Sequence, residues 1–156
     1  KILITFLFLR GNMGVHHISW FTSVSGLEDE ILVADALTWL IGDSDAVSIE
    51  KTSSFHGSTM HLVTAELKNK GPATKSLSRL GNDALGQLIS NIDKKLDEEN
   101  VLHIRLDLLE LLAGRVLICE PSSRPSVKGV TKLQVYPGNT PRDIALETLN
   151  SAKTLH

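Results

Sequence analysis

The sequence predicts an α+β domain of two layers, in which helices pack on one face of a mainly antiparallel sheet. Three observations predict it. Residues Val101–Leu108 alternate strictly, with Leu102, Ile104, Leu106 and Leu108 set against Val101, His103, Arg105 and Asp107, the period of a half-buried strand. Residues Leu27–Ile41 and Asp83–Glu98 carry apolar residues three and four apart, the period of a helix that buries one side. The segments between these patterns are short and rich in Gly, Asn, Asp, Ser and Pro, which suits hairpins and tight connections. The expected order is β-α-β-β-α-α-β-β-β with a short C-terminal helix.

The elements follow in chain order. Val15–Val24 reads as a strand with Ile18, Trp20 and Val24 on one face and His17, Ser19 and Phe21 on the other. Ser25 and Glu28 match a capping box, so a helix is expected over Leu27–Ile41, ended by Gly42. Ala46–Phe55 and Met60–Leu67 read as strands joined by a hairpin at His56-Gly57-Ser58. Pro72–Leu80 reads as a short helix with Leu77 and Leu80 inward. Asn82 caps a longer helix, Asp83–Glu98, with the stripe Leu85, Leu88, Ile89, Ile92 and Leu96. Asn100 closes it. Then come three short strands: Val101 onward through Leu108, Arg115–Cys119, and Val127–Val135 with Val127, Val130, Leu133 and Val135 as inward candidates. Thr140 caps a final helix, Pro141–Ala152, whose end is expected to fray.

Composition places the chain among ordinary globular domains. Its 156 residues are 42% hydrophobic and 22% charged, with a net charge of −2. A chain of this size buries a sizeable core. Overall basicity, a common mark of nucleic-acid binders, is missing, so a polyanion site has to be a local patch. The single cysteine, Cys119, excludes an internal disulfide and suits a cytoplasmic location. Ile2–Leu9 is the longest apolar run, and eight residues fall well short of the ~20 that cross a bilayer as a helix. Met13 follows it, so residues 1–12 read as an upstream extension or an extra strand, 13–137 as the domain, and 138–156 as a tail with a short helix.

The residues resemble a known family. Leu102-His103-Ile104-Arg105-Leu106-Asp107, then Gly114-Arg115-Val116-Leu117, then a strand closing at Tyr136-Pro137, are similar to the C-terminal part of the archaeal proteins described as predicted RNA-binding exosome subunits. The turn at His56-Gly57-Ser58 resembles theirs as well, and the likeness runs from Val15 to Pro137. It implies a fold like that of the large-subunit ribosomal protein that binds 5S RNA, and RNA, with the exosome or other RNA-processing proteins, as partners. The chain departs from the pattern where Pro121–Ser126, with Arg124, replaces an acidic loop, and in the segment beyond Pro137.

No stretch nominates an enzyme, a cofactor or a metal. Gly81–Gly86 spaces two glycines but lacks the Lys-Ser/Thr close of a phosphate loop. The six histidines fall in no metal-ligand spacing, and no Ser, His or Asp lies in a nucleophile-elbow context. Cys119 reads as a small buried hydrophobe. What remains is basic. Lys68, Lys70, Lys75 and Arg79 fall within twelve residues, with Lys75 and Arg79 four apart on one helix face. The helix's first amides near Ala73 and Thr74, with Ser76 and Ser78, complete a candidate clamp for an RNA backbone. Arg124, Lys128 and Lys132 form a second cluster, which His103 and Arg105 join if their strands pair. Aromatic residues are only 4%, which argues for backbone recognition over a base-stacking platform. The leading expectation is a non-enzymatic RNA-binding accessory protein. The alternative is a protein-interaction module, a homodimer without RNA affinity.

Overall fold

The computed structural model describes residues 14–25, 29–53 and 57–155. Residues 1–12, Leu27 and Glu28 of the expected capping box, and His56 of the expected hairpin lie outside these residues. Five strands form one open antiparallel sheet: β1 (Gly14–Ser25), β2 (Val47–Ser53), β3 (Thr59–Leu67), β4 (Val101–Asp107) and β5 (Ser126–Gln134), in the order β2-β3-β1-β5-β4. Among the described residues six α-helices accompany it: α1 (Glu30–Ile41), α2 (Lys70–Ser78), α3 (Asn82–Ser90), α4 (Ile92–Lys95), α5 (Leu108–Leu112) and α6 (Pro141–Thr154). The expected fold class is the one found.

The core lies between the helices and one face of the sheet. Ile18, Trp20 and Val24 of β1, Val63 and Ala65 of β3, and Leu102, Ile104 and Leu106 of β4 are all buried there. Leu37 and Leu40 of α1, Leu77 of α2, Leu85 and Leu88 of α3, and Leu149 of α6 meet them. Apolar residues at spacings of three and four put these side chains on one side of each helix. A polar relay ties three elements across this core. Trp20 Nε1 donates to Ser76 Oγ at 3.0 Å, and Ser76 Oγ donates to the Leu40 carbonyl at 2.6 Å. The relay satisfies an indole N–H and a carbonyl near the end of α1, groups that are costly to bury unpaired.

Several expected boundaries move, each for a local reason. Helix α1 is capped by Asp29, whose carboxylate accepts from the Ile31 and Leu32 amides, because Ser25 is still part of β1. The helix expected over Asp83–Glu98 breaks at Asn91, which leaves helical geometry at φ −115° and ψ 25°. Leu96 is then extended and bridges Leu102. Leu108 does not continue β4. Asp107 caps α5 by accepting from the Glu110 amide at 2.9 Å, and Leu-Leu-Glu-Leu-Leu has no β-branched residue to oppose a helix. The strand expected at Arg115–Cys119 is reduced to one bridge, Leu106 to Ile118, flanked by hydrogen bonds from Asp107 N to Leu117 O and from Cys119 N to Arg105 O. The chain spends Leu108–Leu112 on α5, and only a few residues return to the β4 edge. Helix α6 runs to Thr154 with Ile144, Ala145, Leu149 and Ala152 buried in the core, which holds the end expected to fray.

In β5 the inward residues are Val127, Gly129, Thr131 and Leu133, so Val130 faces out, contrary to expectation. Gly129 faces inward because it lies directly opposite Trp20. A Cβ there would sit 2.3 Å and 2.5 Å from carbons of the indole.

Gly42 ends α1 at φ +82°, its amide bonded to the Thr38 carbonyl at 2.7 Å. The Arg79 guanidinium lies over it, within 2.8 Å of where a Cβ would stand. Gly42→Ala is therefore expected to cost about 1–2 kcal/mol from the left-handed backbone alone. The displaced Arg79 adds to that cost, and the penalty should shrink in an Arg79→Ala background. Urea unfolding of the four proteins of the cycle checks this.

Candidate nucleic-acid interface

Alternation puts every second strand residue on the face away from the helices, and no described helix covers that face. Strand pairing sets its rows. Thr64 of β3 stands opposite Phe21 of β1, Phe21 opposite Lys128 of β5, and Lys128 opposite Arg105 of β4. The next row reads Glu66, Ser19, Val130 and His103. Phe21 and Arg105 are half-buried, and Lys128 and His103 are exposed. Beyond the β4 edge, Cys119–Pro121 and the Lys94–Lys95 end of α4 rise as walls. Together they enclose a cleft of about 400 Å³ with Phe21, Arg105 and Lys128 in its lining.

The charges of this face are unevenly placed. Cations gather over β5 and β4, whereas Glu66 and Glu50 stand on the β3 and β2 side. Arg105 Nη1 donates to Ser126 Oγ at 2.8 Å, which ties the guanidinium to the strand that carries Lys128. His103 Nε2 lies 2.7 Å from Asp97 Oδ2. That bond, with the Val101 and Glu99 amides, holds the Asp97 carboxyl below the usual carboxylate range. Lys95 pairs with Glu120 at 3.1 Å across the cleft wall. Burial pushes the Cys119 thiol up, away from the thiolate that nucleophilic chemistry needs. Among the described residues, no three His, Cys, Asp or Glu side chains group to hold a metal ion. None of the described helices is long and apolar enough to cross a membrane.

The two basic clusters read from the sequence meet different fates. Lys128 and Lys132 share the outer face, and the pairing of β4 with β5 brings Arg105 and His103 to them, as that reading required. Lys132 donates to the Glu99 carbonyl. Arg124 is engaged elsewhere: its Nε and Nη2 bond the Asp107 carboxylate at 2.7 Å and 3.2 Å. Lys68, Lys70, Lys75 and Arg79 stand in different surroundings. Lys68 is exposed at the end of β3, 4.0 Å from Glu66, and Lys75 is exposed on α2. The Lys70 ammonium is buried, and desolvation lowers its pKa. Arg79 covers Gly42 with a buried Nη1. Ser76 and Ser78, expected to offer hydroxyls, are buried and donate to the Leu40 and Lys75 carbonyls. Sequence reasoning did not single out Phe21, which lines the cleft. Its place on the polar face of β1 was legible, but its neighbours 84 and 107 residues away were not.

These features define a class: a two-layer α+β protein that presents one open, partly basic sheet face. A family model described as RNA binding matches residues 17–131, and the chain belongs to that family. Solved structures show the same fold. A DUF54 protein from Methanothermobacter thermautotrophicus is 22% identical, with a TM-score of 0.67 over 88% of this chain and 97% of that one. A DUF54 protein from Archaeglobus fulgidus is 23% identical, with a TM-score of 0.67 over 88% and 99%. A UPF0201 protein from Methanococcus jannaschii is 12% identical, with a TM-score of 0.59 over 88% and 98%. The search of curated proteins gives no match.

Proposed function

We propose that this protein is a non-catalytic RNA-binding accessory factor that holds the RNA backbone on the open face of its sheet. The observation that carries the reading is the row in which Arg105 stands directly opposite Lys128 on an uncovered face, with Lys132 and His103 beside them. Two cations on adjacent strands are placed to neutralise neighbouring phosphates, which positions an RNA without reading its sequence. Membership in a family described as RNA binding supports the same reading. Lys68 and Lys75, both exposed, offer a secondary contact at the sheet's end and on α2. Lys70, Arg79 and Arg124 serve the fold first. The narrower role, RNA processing beside the archaeal exosome in the cytoplasm, rests on the sequence resemblance.

The test is RNA binding at two salt concentrations with the Arg105→Glu, Lys128→Glu double variant. Affinity is expected to fall with salt, and the double variant to bind at least ~10-fold more weakly with a shallower salt slope. Lys68→Glu, Lys75→Glu should have the smaller effect. No affinity at low salt, or affinity indifferent to the Arg105 and Lys128 reversals, overturns the proposal.

One observation favours a second reading. Strand β2 forms a sheet edge with no described partner, and its residues from Ser48 to Ser53 are exposed. A second copy could add its own strand there. A dimer in light scattering that binds no RNA would favour this reading over the first.

A further inference from the structure

We infer that the RNA held on this face is single-stranded, with one base stacked on Phe21. The inference rests on the RNA-binding reading and adds the class of RNA and the residue that selects it. Phe21 is the one Phe, Tyr or Trp among the described outward-facing strand residues, and it stands in line with the two cations. One strand spacing of about 4.8 Å separates Phe21 from Lys128, and a second separates Lys128 from Arg105. A ring followed by two positive charges matches the order of groups across a nucleotide, an apolar base face and then its phosphate.

The surroundings of the ring point the same way. Ser23, exposed, follows Phe21 on the same face of its strand, and Thr64 stands opposite it on β3, whereas Ser19 is buried. Hydroxyls there suit the polar rim of a base. Glu50 on β2 disfavours the negatively charged backbone there, whereas Glu66 is held by His17 at 2.8 Å and lies 4.0 Å from Lys68. Lys128 and Arg105 draw the phosphates to β5 and β4, and the base is directed toward β1.

A duplex cannot use this arrangement. Its bases are stacked on one another and paired, so no ring face is free for Phe21. The Cys119–Pro121 segment and the end of α4 line the same cleft as Phe21, Arg105 and Lys128. Stacking on an aromatic ring is tolerant of sequence because every base offers a π-face.

The experiment compares fluorescently labelled oligouridylate and oligoadenylate with the duplex the two form, titrated with the full chain. The variants are Phe21→Ala, Phe21→Leu, Phe21→Trp and the Arg105→Glu, Lys128→Glu pair. Single strands are expected to bind more tightly than the duplex. Phe21→Ala and Phe21→Leu should weaken single-strand binding by about 5- to 150-fold, the equivalent of one base stack. Phe21→Trp should keep the affinity, and in a Trp39→Phe background its fluorescence should be quenched on binding. Phe21 faces outward, so circular dichroism of each variant should match the parent. If the charge-reversed pair loses RNA while Phe21→Ala and Phe21→Leu bind normally, or if the duplex binds as well as the strands, the single-strand inference falls and RNA binding stands. If neither strand nor duplex binds the parent protein at low salt, the RNA-binding reading falls and this inference falls with it.

Discussion

Gly129→Ala is expected to destabilise the protein by about 1–3 kcal/mol, the cost of forcing extra volume into a packed core. The new methyl would sit 2.3–3.0 Å from three carbons of the Trp20 indole. That ring cannot yield: it is fully buried at the centre of the sheet, and its Nε1 is tied to Ser76. Gly129→Val should cost more, because two further carbons enter the same space. The argument is sharpened by changing the ring. Trp20→Leu alone should be costly, since it opens a cavity and leaves Ser76 without its donor. In that background, however, Gly129→Ala should cost much less than in the parent, because the methyl enters the vacated volume. The coupling in this double-mutant cycle, read by urea unfolding, is the decisive number. Additive costs would show that Trp20 does not confine position 129.

Acid should weaken the fold through Asp107. The Arg124 guanidinium and the Glu110 amide beside it hold the Asp107 carboxyl down to about 2. In the unfolded chain it titrates near the ordinary value of ~3.9. The folded state therefore keeps the charge where the unfolded state has taken up a proton. The stability this confers is fully present above about pH 5 and drains away as pH falls toward about 2. Asp97, held low by His103, drains in the same direction. Asp107→Asn should flatten the stability profile between those limits and lower stability at neutral pH. Arg124→Gln should flatten it less, because the Glu110 amide still favours the carboxylate. Urea unfolding as a function of pH measures both. An Asp107→Asn profile parallel to the parent's would refute the assignment. The Asp107 carboxylate is almost fully buried while Arg124 is largely exposed, so the pair anchors the Pro121–Ser126 segment to the junction of β4 and α5.

Much of the fold was legible because its signals are local. Leu102, Ile104 and Leu106 alternate with polar neighbours, and all three are buried. Ile18, Trp20 and Val24 shared a face in the sequence and share one in the sheet. Leu85, Leu88 and Ile92 form the expected helical stripe, although Asn91 divides its helix in two. The errors arose where two local signals competed. Leu108 continued an alternating pattern, yet Asp107 at its side had the stronger claim as a helix cap. Val127, Val130, Leu133 and Val135 do not share one parity, and only the indole of Trp20 settles that Gly129 and Thr131, not Val130, face inward.

The candidate site was less legible, because charge along a chain does not reveal what each charge already holds. Lys70, Arg79 and Arg124 counted alike as candidate backbone contacts in the sequence, but the Lys70 ammonium is buried, Arg79 lies over Gly42 and Arg124 is bonded to Asp107. Lys128 and Lys132 kept their expected face because the period of two in a strand is a local property. By itself, then, the sequence determined the α+β class, most elements and the inward side of nearly every one, since these follow from periodicity within a few residues. The tertiary structure alone decided that Phe21, Lys128 and Arg105 stand in one row. Strand order is set by core packing between distant segments, and only the order β1-β5-β4 brings residues 21, 128 and 105 side by side.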